Sequence, residues 1–204
     1  MDSLWCYSSS RIITYEGSGV MTKNTTWQLW RDGKMIEEEG LLLRKKAADL
    51  PVPFNAAAKK DIQTLVDAFL KRDDALGLAA PQIGISKRII AFKVKDFDKK
   101  GVSGKDSWEV LINARITQLR GEPEVMNEGC LSCPDISVEV TRATEIKVKA
   151  VDLNGNKVNK RYTGFLARIV QHEIDHLDGR LVIDHDGAIS YPKEKQEFFE
   201  KLFK

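Results

Sequence analysis

The stretch GFLARIVQHEIDHL, residues 164–177, decides how the rest of the chain is interpreted. Apolar side chains recur in it every three or four positions, which is the spacing of one face of an amphipathic helix. The residues of this apolar stripe are Leu166, Val170, Ile174 and Leu177. Thr163 precedes the stretch as a candidate N-cap, and Gly179 follows it as a candidate terminator. The sequence therefore predicts a helix over residues 164–177.

The same helix carries the motif His172-Glu173-Ile174-Asp175-His176. Histidines four positions apart lie on one helical face, with Cβ atoms about 6 Å apart, so both imidazoles can reach the same metal ion. A glutamate beside the first histidine can reach a water molecule on that ion. A chance match on a solvated helix is the alternative, but two of the three histidines in the chain fall in this motif. The motif therefore predicts a metal site.

Two histidines leave a catalytic metal site one ligand short, and three kinds of residue could supply it. A third histidine six positions after the second would complete a metzincin pattern, but that position holds Val182, and His185 comes three residues later. A distant glutamate is the second candidate. The glutamates at loosely suitable distances, in a Lys/Glu-rich segment that is more typical of a solvated helix face, are Glu194, Glu197 and Glu200.

A cysteine is the third candidate ligand. Residues 128–133, EGCLSC, form a glycine-containing turn before a predicted strand, and such a turn can hold a thiolate in place. Cys130 and Cys133 also make a C-x-x-C pair, but the chain has neither a second such pair for a zinc ribbon nor a thioredoxin-like pattern around it. One cysteine with two histidines is the simplest ligand set, although either cysteine alone is more often a packing residue.

Helical and strand periodicities alternate along the rest of the chain from residue 41. Helical spacing covers residues 56–72, capped by Asn55, and a last helix is expected with Pro192 in its first turn. Strand-like runs cover residues 88–94, 110–116, 136–141 and 145–152, and a hairpin turn is expected at Asn154-Gly155. We therefore expect an α+β fold, with antiparallel or mixed β-sheets packed around a central metal-binding HExxH helix and with a C-terminal helix.

The first 40 residues differ from the remainder of the 204-residue chain, because no period of 2 or 3.6 runs through them. We expect residues 1–40 to be an N-terminal extension of unknown role and residues 41–204 to be the catalytic domain. The alternatives for the extension are a disordered tail and a segment packed on the domain through Trp27, Leu29 and Trp30.

Composition excludes several classes of function. A net charge of +2 offers no field for direct nucleic-acid binding. The longest run of apolar residues is four, which is too short for a membrane span or a secretory signal. Three cysteines, an odd number, argue against a disulfide framework and favour a reducing compartment. We expect a bacterial-type cytoplasm, with an organelle as the alternative.

Three segments together resemble the peptide deformylase family. They are ALGLAAPQ at residues 75–82, EGCLS at residues 128–132 and QHEIDH at residues 171–176. Their order, spacing and flanking residues all match the motifs of that family, and the resemblance runs from about residue 41 to the C-terminus. One departure is Ala75, where the family usually has glycine, and a methyl group there would narrow one wall of the substrate groove.

The resemblance implies hydrolysis of the N-formyl group from newly synthesised polypeptides, with release of formate. The implied metal ligands are Cys130, His172 and His176. Glu173 would take a proton from the attacking water and return it to the leaving amine. The Gln82 side chain and the Leu131 backbone N–H would stabilise the oxyanion that develops on the formyl oxygen.

The resemblance also implies a substrate groove. Gly77 would meet the backbone of the substrate. The implied pocket for the methionine side chain is formed by Leu76, Met126, Phe165 and Ile169, whose apolar character suits methionine. Glu128 and Arg142 would form a buried supporting pair, and Gln171 would support the ligand histidine beside it.

One divalent metal ion per chain is implied, with Fe2+ expected and Zn2+, Ni2+ or Co2+ as alternatives for the same ligands. The implied partners are nascent polypeptides that begin with N-formylmethionine, met at the ribosome, without nucleic-acid or membrane binding. The sequence also leaves two other classes of function open. A zinc endopeptidase of the HExxH type would use Glu173 on an internal amide, and a non-enzymatic binding module would close its metal site with four protein ligands.

Overall fold

A computed structural model describes residues 12–15 and 26–203 of the chain. The helices are α1 (Glu37–Leu43), α2 (Ala56–Leu70), α3 (Gly164–Leu177) and α4 (Gln196–Leu202). The first strands are β1 (Ile12–Tyr15), β2 (Trp30–Arg31), β3 (Lys34–Met35), β4 (Gly77–Ala79), β5 (Ile89–Lys93) and β6 (Trp108–Arg120). The remaining strands are β7 (Glu124–Cys130), β8 (Cys133–Arg142), β9 (Glu145–Val151), β10 (Lys157–Thr163) and β11 (Ile189–Pro192).

Two larger sheets and one small hairpin organise these strands. The five-stranded sheet has the order β10-β9-β6-β5-β4 and is antiparallel throughout. The four-stranded sheet has the order β1-β11-β8-β7 and is mixed, because β1 runs parallel to β11. Strands β2 and β3 form the hairpin. The predicted α+β class, with antiparallel and mixed sheets and a C-terminal helix, is confirmed.

Helix α3 packs its apolar stripe into the larger core. Val170, Ile174 and Leu177 are buried there with side chains of the five-stranded sheet, including Ile90 and Phe92. The helix also buries polar side chains, which a helix on the surface of a sheet would turn towards solvent. These polar residues are Arg168, Gln171, Glu173 and His176. Their burial means that both faces of α3 are covered by protein.

The N-terminal segment packs on the second core cluster. Trp30 is 2% exposed and its ring lies edge-on to Phe199 at a centroid distance of 5.5 Å. Leu29 is buried beside it, and Trp27 is half-buried against the same cluster. This packing agrees with the alternative in which the extension packs on the domain through Trp27, Leu29 and Trp30. The division of the chain at residue 40 stays a prediction, since residues 1–11 and 16–25 lie outside the described residues.

Local signals predicted some boundaries and missed others. Asn55 caps α2 as expected, because its side chain accepts a hydrogen bond from the Ala58 N–H at 2.8 Å. Gly179, with φ of +74°, follows the end of α3. Thr163 stands at the N-cap of α3, but its side chain makes no capping bond there to the described residues. Helix α1 and strand β7 were not predicted, so the glycine-containing turn expected over residues 128–133 is reduced to residues 131–132.

None of the helices in residues 26–203 is long and apolar enough to cross a lipid bilayer.

Candidate active site

Helix α3 and the end of strand β7 bring three donor side chains together. His172 and His176 lie one turn apart on α3, with ring centroids 5.2 Å apart. Cys130, the last residue of β7, places its Sγ 3.3 Å from His176 Nε2. One ligand atom from each of the three residues lies within 4.8 Å of the other two. The three predicted ligands are therefore close enough to share one ion.

The other candidates for the third ligand do not join this group. Among the described residues, the cluster of donors that could hold a metal consists of Cys130, His172 and His176 alone. His185 bonds instead to Asp175, with 3.0 Å between its Nε2 and the carboxylate. The glutamates of the C-terminal segment, Glu194, Glu197 and Glu200, and the second cysteine, Cys133, also lie outside the cluster.

A buried ionic network orients His172. Its Nδ1 lies 2.9 Å from Glu128 Oε2. Arg142 binds both oxygens of the same carboxylate, at 2.7 and 2.8 Å, and Arg168 binds Oε1 at 2.7 Å. Because Glu128 holds Nδ1, the other ring nitrogen of His172 is directed away from the carboxylate and is available as a ligand. The predicted Glu128–Arg142 pair is present, and Arg168 extends it.

The Cys130 thiol and the His172 imidazole have shifted pKa values. A hydrogen bond from Cys133 and the nearby His176 lower the pKa of Cys130 well below that of an ordinary thiol, although burial opposes them. Burial acts to lower the pKa of His172. Its hydrogen bonds with Cys130 and Glu128 outweigh burial, so the pKa lies well above that of an ordinary imidazole. A thiolate beside imidazoles is a donor set that suits a divalent transition metal.

One buried polar atom beside the cluster also fits a ligand. Within the described residues, Glu173 Oε2 is buried without a hydrogen-bond partner. Buried polar atoms without partners are uncommon in folded proteins, and at functional sites they mark where a ligand or water binds. The residues present therefore fit a bound divalent ion with a water or substrate beside it.

Glu173 lies next to the cluster in a nearly closed environment. It is 4% exposed, and burial raises its pKa to about 7, with His172 and His176 opposing the rise. A carboxyl group with a pKa near neutrality can both accept and donate a proton at physiological pH. Its position depends on Gly77, because a Cβ atom at residue 77 would lie 2.7 Å from Glu173 Cγ and closer still to its carboxylate.

Gln82 and Leu131 flank the same space from the two sheets. Gln82 is buried, with its Oε1 accepting a hydrogen bond from the Ala79 N–H at 2.9 Å. Its Nε2 donates to Ser132 Oγ at 3.2 Å. Leu131 begins the turn between β7 and β8. Two neutral donors, a side-chain amide and a backbone N–H, thus come from separate segments of the chain.

A cavity of about 440 Å³ joins these groups. The predicted site residues that line it are Leu76, Gly77, Gln82, Cys130, Leu131, Phe165, Ile169, His172 and Glu173. Two predicted site residues are absent from this lining: Met126, predicted for the methionine pocket, and His176, predicted as a metal ligand. Ala75, which replaces the family glycine, does line the cavity.

Other residues line the cavity without having been predicted from the sequence, among them Arg168, Ile136 and Asn127. Arg168 could have been found, because positions 165, 168, 169 and 172 share one face of a helix. Ile136 and Asn127 were harder to predict as lining residues, because they lie on the two strands that flank the β7–β8 turn and not on the helix.

Comparison with known proteins identifies the family. The family model for polypeptide deformylase matches residues 35–193. A peptide deformylase of Thermodesulfovibrio yellowstonii is 37% identical over 166 residues, covering 80% of this chain and 91% of that protein. A peptide deformylase of Thermotoga maritima is 41% identical over 143 residues, covering 70% of this chain and 80% of that protein.

Solved structures agree. A Met-Ala-Ser-bound class I type b peptide deformylase of Acinetobacter baumannii superposes with a TM-score of 0.64 and 31% identity, over 78% of this chain and 96% of that one. The peptide deformylase of Thermotoga maritima gives a TM-score of 0.60 and 38% identity, over 71% of this chain and 90% of that one. The chain belongs to the polypeptide deformylase family of metal-dependent hydrolases, and it removes the N-formyl group from newly synthesised polypeptides.

Proposed function

We propose that this cavity is where the formyl group of N-formylmethionine is hydrolysed, with the roles distributed as the sequence analysis expects. One observation carries the proposal: three donor atoms lie within 4.8 Å of one another, and two of the residues that supply them, Cys130 and His172, line one cavity together with the buried carboxyl group of Glu173. In this proposal the metal ligands are Cys130, His172 and His176. The proton carrier is Glu173, and the oxyanion donors are Gln82 and Leu131.

The metal is proposed to be a single Fe2+ ion, with Zn2+, Ni2+ and Co2+ as ions that the same nitrogen and sulfur donors accept. When bound, a divalent ion supplies Lewis acidity, which lowers the pKa of a water molecule and polarises a carbonyl group. The Glu128 carboxylate supports this site through its 2.9 Å contact with His172 Nδ1, which fixes the orientation of the imidazole ring.

The protein groups then move one proton and stabilise one developing charge. Glu173 accepts a proton from the attacking water as its oxygen forms a bond to the formyl carbon. Charge develops on the formyl oxygen, where the Gln82 amide and the Leu131 N–H donate hydrogen bonds. Glu173 returns the proton to the amine nitrogen as the carbon–nitrogen bond breaks. The products are formate and a polypeptide with a free amino terminus.

Substrate recognition is proposed to use both the backbone and the first side chain of the polypeptide. Strand β4 is an edge strand, paired on one side with β5, and Gly77 lies at its start. An extended peptide can add to such an edge through main-chain hydrogen bonds. Leu76, Phe165 and Ile169 line the adjoining cavity and offer an apolar surface for methionine.

The setting of the reaction is also a proposal. Polypeptides that begin with formylmethionine are made at the ribosome, so we place the encounter there and in the cytoplasm. The relatives reported above are bacterial proteins, which supports this compartment.

The zinc endopeptidase alternative is not supported, because the relatives and the solved structures reported above are deformylases. Membership of an enzyme family likewise removes the binding module from consideration.

The test compares three peptides that differ only at the amino terminus. Anaerobically purified protein, with its metal content measured, is incubated with formyl-Met-Ala-Ser, acetyl-Met-Ala-Ser and unblocked Met-Ala-Ser. We expect formate from the first peptide and no cleavage of the other two. Removal of the metal with a chelator should abolish formate release, and Fe2+ should restore it. Cleavage at an internal amide, or equal hydrolysis of the acetyl peptide, would contradict the proposal.

Gly77→Ala is expected to lower kcat by about 100-fold or more while the metal stays bound, since acid–base catalysis of this kind contributes about 10²–10⁴-fold. The added Cβ would occupy the space of the Glu173 side chain and displace its carboxylate. The matched control is Gly40→Ala on α1, where a Cβ would meet only the end of a leucine side chain at 3.3 Å. A folded Gly77→Ala variant with normal kcat would show that Glu173 does not need its observed position.

A further inference from the structure

We propose that residues 26–30, which we call the N-terminal brace, position the two oxyanion donors of the active site. The inference rests on the proposed function of Gln82 and Leu131 and goes beyond it, because it gives a role to a segment outside the catalytic motifs. The match to the family model begins at residue 35, so the brace precedes the matched region.

Backbone hydrogen bonds connect the brace to the segments that hold both donors. The Trp27 N–H donates to the carbonyl of Gln82 at 2.7 Å. The Leu29 N–H donates to the carbonyl of Ser132, the residue after Leu131, at 2.9 Å. In an extended segment, N–H groups two residues apart point to the same side. One side of the brace therefore spans the two segments that hold the proposed donors.

Side chains of the brace also contact the two segments that hold the proposed donors. Gln28 is 7% exposed, and its Nε2 donates to the carbonyl of Leu131 at 3.4 Å. Trp30 Nε1 donates to the carbonyl of Pro134 at 3.0 Å. The indole of Trp27 covers Gly84, at the end of the turn that carries Gln82, so closely that a Cβ there would lie 2.6 Å from the ring.

The far side of the brace is tied to the body of the protein. Leu29 and Trp30 are buried in the second core cluster. The Gln28 N–H donates to Glu39 Oε2 on α1 at 2.6 Å. Thr26 Oγ1 accepts a hydrogen bond from Arg72 at 2.7 Å. Fixed on this side, the brace can hold the Gln82 and Leu131 segments against relative movement.

The two donors need such support because they come from different sheets. Gln82 follows β4 of the five-stranded sheet, whereas Leu131 follows β7 of the four-stranded sheet. Their direct connection is the 3.2 Å hydrogen bond from Gln82 Nε2 to Ser132 Oγ. Stabilisation of an oxyanion requires donors at about 3 Å from one point, and a displacement of about 1 Å can cost about 100-fold in rate.

The test uses two truncated chains that begin at natural methionines. A chain starting at Met21 keeps the brace, and a chain starting at Met35 removes it. Both lose strand β1, so the first is the control for that loss, while the second also loses strand β2. We expect the Met21 chain to keep kcat within about twofold, and the Met35 chain to lose about 10-fold or more in kcat per bound metal. KM should change little, because the donors act on the transition state and not on substrate binding.

Hydrogen exchange gives a readout independent of activity. Backbone amides in residues 79–84 and 130–134 should exchange faster in the Met35 chain than in the Met21 chain, at equal metal content. A Met35 chain that is folded and metal-loaded, with unchanged kcat and unchanged exchange, would overturn the proposal.

If the Met35 chain does not fold, Gln28→Leu in the full chain decides. We expect about a threefold or larger loss of kcat and faster exchange at residues 130–134. The control is Lys34→Ala in the exposed β2–β3 hairpin. Unchanged kcat and exchange in Gln28→Leu would overturn the proposal. Absence of deformylation by the full chain would refute the proposed function, while the exchange comparison would still test the brace.

Discussion

Replacing Glu173 with alanine is expected to reduce kcat by about 10²–10⁴-fold, the range associated with general acid–base catalysis, while the protein keeps its metal. Glu173 lies one residue from His172 and is not one of the three clustered donors. The variant therefore loses the group that moves protons but none of the proposed ligands. The measurements are formate release from formyl-Met-Ala-Ser and elemental analysis of the same sample.

The same substitution is expected to leave stability unchanged or to raise it. The Glu173 carboxyl group is buried, and within the described part of the chain its Oε2 has no partner. Burying a polar group without a hydrogen bond costs free energy, so removing it relieves part of that cost. Thermal unfolding of the metal-free variant against the metal-free parent measures this. Glu197→Ala, at an exposed position on α4, is the control.

Two results would contradict this assignment. Loss of metal from Glu173→Ala would mean that the residue contributes to ligation. Substantial remaining turnover would mean that another group carries the proton.

Helix α3 could be predicted because its periodicity and its C-terminal signal agreed, although the Thr163 side chain makes no capping bond to the described residues. Its apolar stripe has helical spacing, Gly179 follows its end, and the observed bounds, Gly164–Leu177, equal the predicted ones. The histidine pair follows from the same periodicity. The third proposed ligand does not, because Cys130 comes from a strand 42 positions before His172. Only the resemblance to a family, and then the structure, separated it from the other candidates.

Strand β7 and the hydrogen bonds of the N-terminal brace escaped prediction for a different reason. Residues 124–130, EVMNEGC, contain few β-branched side chains and a glycine, so their strand propensity is weak. Pairing with β8 along the whole strand stabilises its extended conformation despite this weak propensity. Three hydrogen bonds of the brace use backbone N–H groups, which every residue except proline carries. Such contacts leave no mark on composition or periodicity.

The last prediction separates the two cysteines of the C-x-x-C pair. Cys130→Ala is expected to lose metal and activity together, because two histidines alone bind a divalent ion weakly. Cys130→Asp should retain part of the metal, since a carboxylate can replace the thiolate with altered geometry. Cys133→Ser should keep one metal per chain and most of the activity.

Different surroundings of the two thiols explain the difference. The pKa of Cys130 is lowered, chiefly by a hydrogen bond from Cys133 and by the nearby His176, so Cys130 is the thiolate of the pair. Burial, together with the negative charge of Cys130, raises the pKa of Cys133 well above that of an ordinary thiol. Cys133 is fully buried in the second core cluster, where it acts as a packing residue and a donor.

Serine at position 133 can still donate a hydrogen bond to the Cys130 thiolate, but its hydroxyl group is more costly to bury than a thiol. We therefore expect Cys133→Ser to lower the free energy of unfolding by about 1–3 kcal/mol, with little change in kcat per bound metal. Cys133→Ala removes the donor as well, so the pKa of Cys130 should rise and metal binding should weaken at low pH. Chemical denaturation and metal titration measure these effects. If Cys133→Ser lost the metal while Cys130→Ala retained it, the thiolate ligand would be Cys133, and the alignment of residues 128–132 with the family motif would be wrong.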